Sequence, residues 1–395
     1  MPRCAAISLL HPVWHVVICG WLQGKTGAVA HWPLPLVQNR GSGVPKAVGR
    51  RNRFMKLTCE RMTLKLAVPF RTARAVRTDK ETLWVKVTHD GVEGWGEAAP
   101  VDTYHQTLES SERTVLEAAR FVGGSPFETE RLTEALLARF GEQCAAVAAI
   151  DAALHDWIGK RVNLPIWKYL GLAQGPLPLT SYSLGIEEDL SSLAERVRSA
   201  AKYPVLKVKL GSPRDEEIIR LVRCEAPRQR IRVDANMGWT IDTALRLLPL
   251  FAELGVEFVE QPLAAHDLDG LRRLKEAAIL PIVADESCVR REDVLKVRGC
   301  VDGINIKLSK CGGIRQALTM IRLGRACGLK IMLGCMIESS LGISAALQLA
   351  TLADWLDLDG HLLVSPDPFG GIGGGEGKLH LSDRPGLGVM PMLIS

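Results

Sequence analysis

The apolar stretch VLKVKL, residues 205–210, alternates so that Lys207 and Lys209 lie on one side of a strand, with Leu206, Val208 and Leu210 on the other. Two ammonium groups on one face of an apolar strand repel each other and lose hydration, unless that face lines a polar site. Four more apolar runs end on charge in the same manner: IRVDAN at Asp234 and Asn236, VEFVEQP at Glu260, PIVADES at Asp285 and Glu286, and INIKLSK at Lys307. From Lys209 through Asp234, Glu260 and Asp285 to Lys307 the steps are 25, 26, 25 and 22 residues. One strand, one helix and two short connections take roughly 22 to 28 residues. Each step is therefore one βα unit, with helical patterns such as LRLLPLFAELG and GLRRLKEAA in the intervals. In a barrel of such units the C-terminal strand ends converge on one mouth. Lys209, Asp234, Glu260, Asp285 and Lys307 are thus expected to share one cavity, three carboxylates between two lysines.

The pattern extends in both directions. TSYSLG reads as the first barrel strand, KIMLGCMIES as the seventh and DWLDLDGHLL as the last, where Asp357 and Asp359 share a face by the same two-residue rule. The fold class is α/β: a (β/α)7β TIM-like barrel over residues 176–370 with an N-terminal α+β capping domain over residues 55–175. In the cap, MTLKLAVPF and TLWVKVTHDGVEGWGEA read as strands, the second turning at Asp90-Gly91. Amphipathic helices are expected around Glu109–Phe121, Glu128–Phe140 and Cys144–Lys160. Between the first two strands, RTARAVRT reads as an arginine-rich loop holding Arg71, Arg74 and Arg77. After Pro368 the chain becomes glycine-rich; KLHLSDRPGLGV reads as a closing hairpin, and residues 371–395 as a segment returning to the cap.

Composition adds constraints. A chain of 395 residues, 47% hydrophobic, can bury a large core. The formal charge of +5 is local: residues 1–54 carry seven Lys or Arg and no acid, leaving 42 basic against 44 acidic side chains in the remainder. The basic balance is no argument for nucleic-acid binding by the folded part. Ten cysteines without a CxxC spacing fit free, reduced thiols. In the leader, His11, Pro12 and His15 interrupt the apolar run and argue against a membrane span, whereas Arg3 and Ala28-Val29-Ala30 would suit a signal peptide. The abrupt change to strand-like alternation favours Met55 as the functional start, with residues 1–54 a disordered or mis-annotated leader carrying no chemistry. The expected setting is cytoplasmic, with a small-molecule substrate, no nucleic-acid or membrane partner, and homo-oligomerisation left open.

The ordered set KVK, DAN, VEQP, ADES and NIKLSKCGG resembles the muconate-lactonizing-enzyme subgroup of the enolase superfamily, over Met55 to about Val389. The DLD pair on the last strand, after GCMIESSLG, narrows the resemblance to the dipeptide epimerases. That resemblance implies Mg²⁺ on Asp234, Glu260 and Asp285, and a two-base inversion in which Lys209 and Lys307 face each other across the substrate. Removing a proton α to a carboxylate gives an enediolate dianion, stabilised by the metal and by ammonium groups. A lysine base needs its pKa lowered from about 10.4 toward roughly 7 to 8, and Lys207 with the metal is expected to supply the like charge.

By the same resemblance Lys207 touches the substrate carboxylate, Asp357 and Asp359 hold the dipeptide α-ammonium, and Ser183, Cys335 and Met336 contact the dipeptide backbone. Ser183 stands where these enzymes more often have Thr, which retains the hydroxyl. Asn236 is expected to hydrogen-bond beside the metal and Glu286 to pair with a lysine or orient a ligand. Arg74 or Arg77 would hold a glutamate side chain, and Tyr104 is a candidate to close over the site. The substrate expected is L-Ala-D/L-Glu, from cell-wall peptide turnover. The alternatives are an N-acylamino-acid racemase, a cycloisomerase or o-succinylbenzoate synthase, which would not need the DLD pair, and a non-catalytic metal-binding barrel. A mandelate-racemase-like base is excluded, since GCMIESS lacks histidine.

Overall fold

The computed structural model describes residues 55–71, 76–187 and 189–392, and the expectations for residues 1–54 lie outside these. The cap begins with an antiparallel sheet of β1 (Lys56–Arg71), β2 (Val76–His89) and β3 (Val92–Ala98). Asp90 and Gly91 join β2 to β3 with φ of 46° and 76°, the positive values a two-residue type I′ turn requires. The arginine-rich stretch is less of a loop than its composition implies. Pairing resumes at Phe70↔Arg77 and Arg71↔Val76 after an irregularity between Lys65 and Phe70 takes up the extra residues of β1. Arg71 and Arg77 are therefore strand residues, and Arg74 lies outside the described residues.

Three helices follow, α1 (Leu108–Phe121), α2 (Thr129–Phe140) and α3 (Cys144–Val162). Thr107 caps α1 by accepting from Ser110 N at 3.1 Å, while the Ser110 hydroxyl accepts from Thr107 N at 2.9 Å. Buried on almost every side, α3 is rich in alanine because two glycines of β3 press against it. A Cβ on Gly94 would lie 2.1 Å from Ala153 O, and one on Gly96 2.1 Å from Ala149 O. The two-residue period of VEGWGEA puts both glycines on the helix-facing side of β3.

The barrel consists of β4 (Tyr182–Leu184), β5 (Val205–Lys209), β6 (Arg230–Asp234), β7 (Val256–Glu260), β8 (Ile282–Ala284), β9 (Gly303–Lys307), β10 (Lys330–Gly334) and β11 (Trp355–Asp357). All neighbours are parallel and in sequence order, and a parallel bridge between Thr180 and Leu356 joins the first and last strands. Leu206, Val208, Ile231, Val233, Ile304 and Leu333 belong to the main core beneath the helices. On the other side of the strands, Phe258, Val283, Met332 and Trp355 form a separate cluster that fills the barrel below the charged layer.

The last segment pairs Phe369–Gly370 with Met390–Pro391, and KLHLSDRPGLGV turns so that Ser382 meets Gly388 but forms no strand pair of its own. Pro385 at its centre has no N–H to give a ladder, and the chain instead reaches α3, where Leu387 N donates to Asp156 Oδ1 at 2.8 Å. No helix among the described residues is long and apolar enough to cross a membrane.

The backbone contact between β3 and α3 leaves no room for a side chain at Gly96. Gly96→Ala should lower unfolding stability by about 2 kcal/mol or more, read by denaturant titration; an unchanged midpoint would refute the close packing.

Candidate active site

Strand register puts the charged ends on one level: Lys209 pairs with Asp234, Asp234 with Glu260, and Gly334 with both Lys307 and Asp357. Lys207, Lys209, Asp285, Lys307, Asp357 and Asp359 line one cavity at the C-terminal mouth of the barrel. Because β5 and β9 lie four strands apart in a ring of eight, Lys209 and Lys307 stand on opposite walls.

Lys207 is the centre of charge. Only 1% exposed, its Nζ lies 2.6 Å from Asp357 Oδ2, 2.7 Å from Glu260 Oε2 and 3.1 Å from Asp234 Oδ2. Burial works against its ammonium, but these three carboxylates overcome that and hold it well above the usual lysine range. Lys209 Nζ donates to Asp234 Oδ2 at 2.6 Å, and Lys307 Nζ to Asp285 Oδ2 at 2.8 Å. Burial opposes ionisation of Asp234 and Asp285 too, and their lysines keep both carboxyls well below the usual range. Glu260, squeezed by burial and by Asp234, is pushed up to about 7. Lys207 acts on Lys307 in the lowering direction, but it is not the largest effect there. Burial lowers Lys307, yet Asp285 and Glu260 outweigh it and hold Lys307 well above the usual lysine range.

Asp234 and Glu260 are fully buried and meet the cavity through the lysines above them. Asp357 also accepts from the Ser181 hydroxyl, so it is engaged by protein on two sides. Asp359, at the start of a short 3-10 turn just past β11, accepts from Ser183 N at 2.6 Å, and burial with Asp357 pushes it up to about 6. Ser183, Cys335 and Met336 line the cavity; Cys335 Sγ lies 3.2 Å from Asp357 O, and burial pushes its thiol up. Asn236 touches Asp234 through its backbone N–H, 3.0 Å from Oδ1. Glu286 lines the cavity beside Asp285, and burial and that neighbour raise its carboxyl. From the cap, Arg77 and Tyr104 complete the wall.

A hard divalent cation takes oxygen donors, and Asp234, Glu260 and Asp285 offer three carboxylates at consecutive strand ends. Glu260 Oε2 is buried and makes no hydrogen bond, its contact with Lys207 being one of charge alone. Burial and then Asp234 raise the Glu260 carboxyl, and a bound cation would offset both, so the donor set fits one. Among the described residues no three acid, thiol or imidazole groups are already gathered into a cage; each of these carboxylates is drawn to a lysine instead.

Family comparison accounts for both parts of the chain. Residues 55–171 match the mandelate racemase / muconate lactonizing enzyme N-terminal domain, and residues 189–392 the enolase C-terminal domain-like family. The chain belongs to the enolase superfamily. Among its relatives is the L-Ala-D/L-Glu epimerase of Bacteroides thetaiotaomicron, 37% identical over 337 residues, 85% of this chain and 88% of that one. The L-Lys-D/L-Arg epimerase of Methylococcus capsulatus is also 37% identical, over 342 residues, 82% of this chain and 95% of that one. The dipeptide epimerase of Enterococcus faecalis V583, solved with Mg and L-Leu-L-Tyr, superposes with a TM-score of 0.80 at 30% identity, covering 85% of this chain and 99% of that one. These superfamily members differ in the side chains they are named for, so identity alone does not choose among them.

Several residues of this superfamily site escaped the sequence reading. Asn305 Nδ2 donates to Glu260 Oε1 at 2.8 Å, and the two-residue rule applied back from Lys307 would have found it. Gln261 holds the backbone of Asp285 and Ser287 through its Oε1, at 2.9 and 3.0 Å. Lys310 lies one helical turn past Lys307, where strand alternation no longer applies. Its Nζ contacts Asp285 Oδ1 and donates to the carbonyls of Asp285 at 2.7 Å, Asn305 at 3.1 Å and Cys288 at 3.2 Å. Lys310→Met would leave the buried Asp285 carboxylate with Lys307 as its one ammonium partner and Oδ1 without its cation. Thermal unfolding in EDTA should then show a loss of about 3 kcal/mol or more, and wild-type stability would show that Asp285 does not depend on Lys310.

Proposed function

We propose that this isomerase epimerises a dipeptide with an acidic second residue, L-Ala-D/L-Glu, by 1,1-proton transfer between two lysines. The observation that carries the reading is the position of Lys209 and Lys307, on opposing walls of one cavity with charged and acidic groups around them. Inversion at a carbon needs a base on one face and an acid on the other. One lysine, as the free amine, takes the α-proton and becomes an ammonium. The opposite ammonium gives a proton to the other face, and the centre is inverted with no net change in protons. Charge developing on the substrate carboxylate is met by Lys207, whose Nζ is fixed by carboxylates from three strands. When bound, Mg²⁺ held by Asp234, Glu260 and Asp285 would supply further positive charge to that carboxylate.

The rim decides which carboxylic acid is turned over. Asp357 is already engaged by Lys207 and Ser181, so Asp359 is the acceptor for a dipeptide α-ammonium. This feature favours a dipeptide over the substrates of a cycloisomerase, which carry no ammonium. Arg77 on the cap wall favours an anionic side chain. The relative named for L-Ala-D/L-Glu is consistent with this choice, and turnover of cell-wall peptides is the corresponding role.

In D₂O with Mg²⁺, L-Ala-L-Glu should gain one deuterium at the Glu α-carbon and convert to L-Ala-D-Glu, read by mass spectrometry and chiral chromatography. Lys209→Met and Lys307→Met should each cut epimerisation by about 10²-fold or more while one retains exchange with only one epimer. Unlabelled dipeptide recovered from wild type would end the proposal.

A second test uses pH. The carboxyl of Asp359, raised to about 6, is ionised above that value and loses its charge below it. KM for the dipeptide should therefore rise as pH falls through about 6, and Asp359→Asn should remove that dependence along with most of the affinity. A KM flat across this range in wild type would discard Asp359 as the ammonium acceptor.

A further inference from the structure

We infer that Lys80 is a specificity-determining residue, the second cation of a cradle with Arg77 that holds the side-chain carboxylate of the substrate's second residue. The inference rests on the dipeptide reading above and extends it to a residue on the cap's β2.

Lys80 lies opposite Leu64 in the β1–β2 ladder and is 7% exposed, yet it lines the same cavity as Arg77. A lysine this buried normally has a carboxylate partner. Among the described residues Lys80 forms no ion pair; its one hydrogen bond goes to the carbonyl of Pro100. An ammonium has three donors, so most of its capacity is unused by the protein.

The acids around it are committed elsewhere. Glu97 accepts from the Ser339 backbone and hydroxyl and from Gly342 N, and burial raises its carboxyl. Glu338 accepts from Met336 N at 3.1 Å, and burial with Glu97 pushes it up to about 8, so it is mostly protonated at neutral pH. Asp102 is exposed. Burial and then the neighbouring Arg77 lower Lys80 to about 8, outweighing the opposite pull of Asp102, Glu338 and Glu97. The Arg77 side chain makes no hydrogen bond or ion pair among the described residues, and its backbone belongs to the β1–β2 ladder.

The cavity is thus polar from end to end. Asp357 and Asp359 sit at one rim and Arg77 and Lys80 on the cap wall. A dipeptide with an ammonium and an acidic side chain is oriented by both ends at once. A cationic side chain would be repelled by the cap wall, and a neutral one would leave both cations without a partner.

The test compares L-Ala-L-Glu with L-Ala-L-Gln, which differ in charge and hardly in shape. In Lys80→Met, KM for the Glu dipeptide should rise about 10- to 100-fold with kcat little changed, KM for the Gln dipeptide should stay put, and Lys80→Arg should restore the preference. If Lys80→Met does not fold, Lys80→Gln keeps a donor for the Pro100 carbonyl while removing the charge, and carries the same comparison. Equal rises for both dipeptides, or no preference for Glu in wild type, would overturn the cradle and leave the epimerase reading intact. If wild type turns over no dipeptide, that reading fails. Calorimetric binding of the same two dipeptides then decides the cradle: tighter Glu binding that Lys80→Gln abolishes supports it, and equal binding refutes it.

Discussion

One ammonium shared by carboxylates of three strands organises this molecule. Lys207 lies within 3.1 Å of Asp234, Glu260 and Asp357, which come from β6, β7 and the last strand of the ring. A buried charge so placed is worth little as net stability, because desolvation offsets most of the attraction, but losing any one member leaves the others exposed to repulsion in a poor dielectric. The arrangement therefore fixes geometry more than it adds stability. It draws strands from opposite ends of the sequence order to one point, beside the closure at Thr180 and Leu356. Lys209 is placed by the same frame, since it shares Asp234 with Lys207.

The cap completes the enclosure through polar contacts that resemble those at helix ends. Glu97, at the end of β3, takes the N–H groups of Ser339 and Gly342 at the start of the helix Ser340–Leu347, which follows the seventh barrel strand. Asp151 and Asp156 of α3 bind Ile314 N and Leu387 N in the same way, at 2.7 and 2.8 Å. Thus three cap carboxylates hold three separate parts of the barrel and its C-terminal segment, and the cavity roof is as well anchored as its floor.

Much of this was legible in the sequence because it rests on period and interval. The two-residue alternation located Lys207 with Lys209, and the spacing from Lys209 to Lys307 gave the βα repeat and hence a common mouth. The rule failed at Lys310, which is on a helical turn; Asp359 shares the cavity with Asp357 as the rule expects, although a 3-10 turn past β11 positions it. It also could not tell what each charge would meet. The expectation that Lys207 and a metal would lower a lysine's pKa left out the acids, and the carboxylates around Lys307 hold it up instead. Lys80 gave no signal at all, as a single cation in a polar strand reads as solvated. The arginine-rich stretch was taken for a loop because composition is blind to a ladder that resumes after an irregularity.

The charged strand ends belong to the barrel, whereas Arg77 and Lys80 are on the β1–β2 hairpin of the cap, a segment that supplies none of the proton-transferring groups. On the proposed reading, proton transfer and side-chain selection are therefore written on separate pieces of chain. Such a hairpin can be exchanged like a cassette: a lineage, or a designer, could retarget the enzyme by grafting a new tip while the inversion machinery stays untouched.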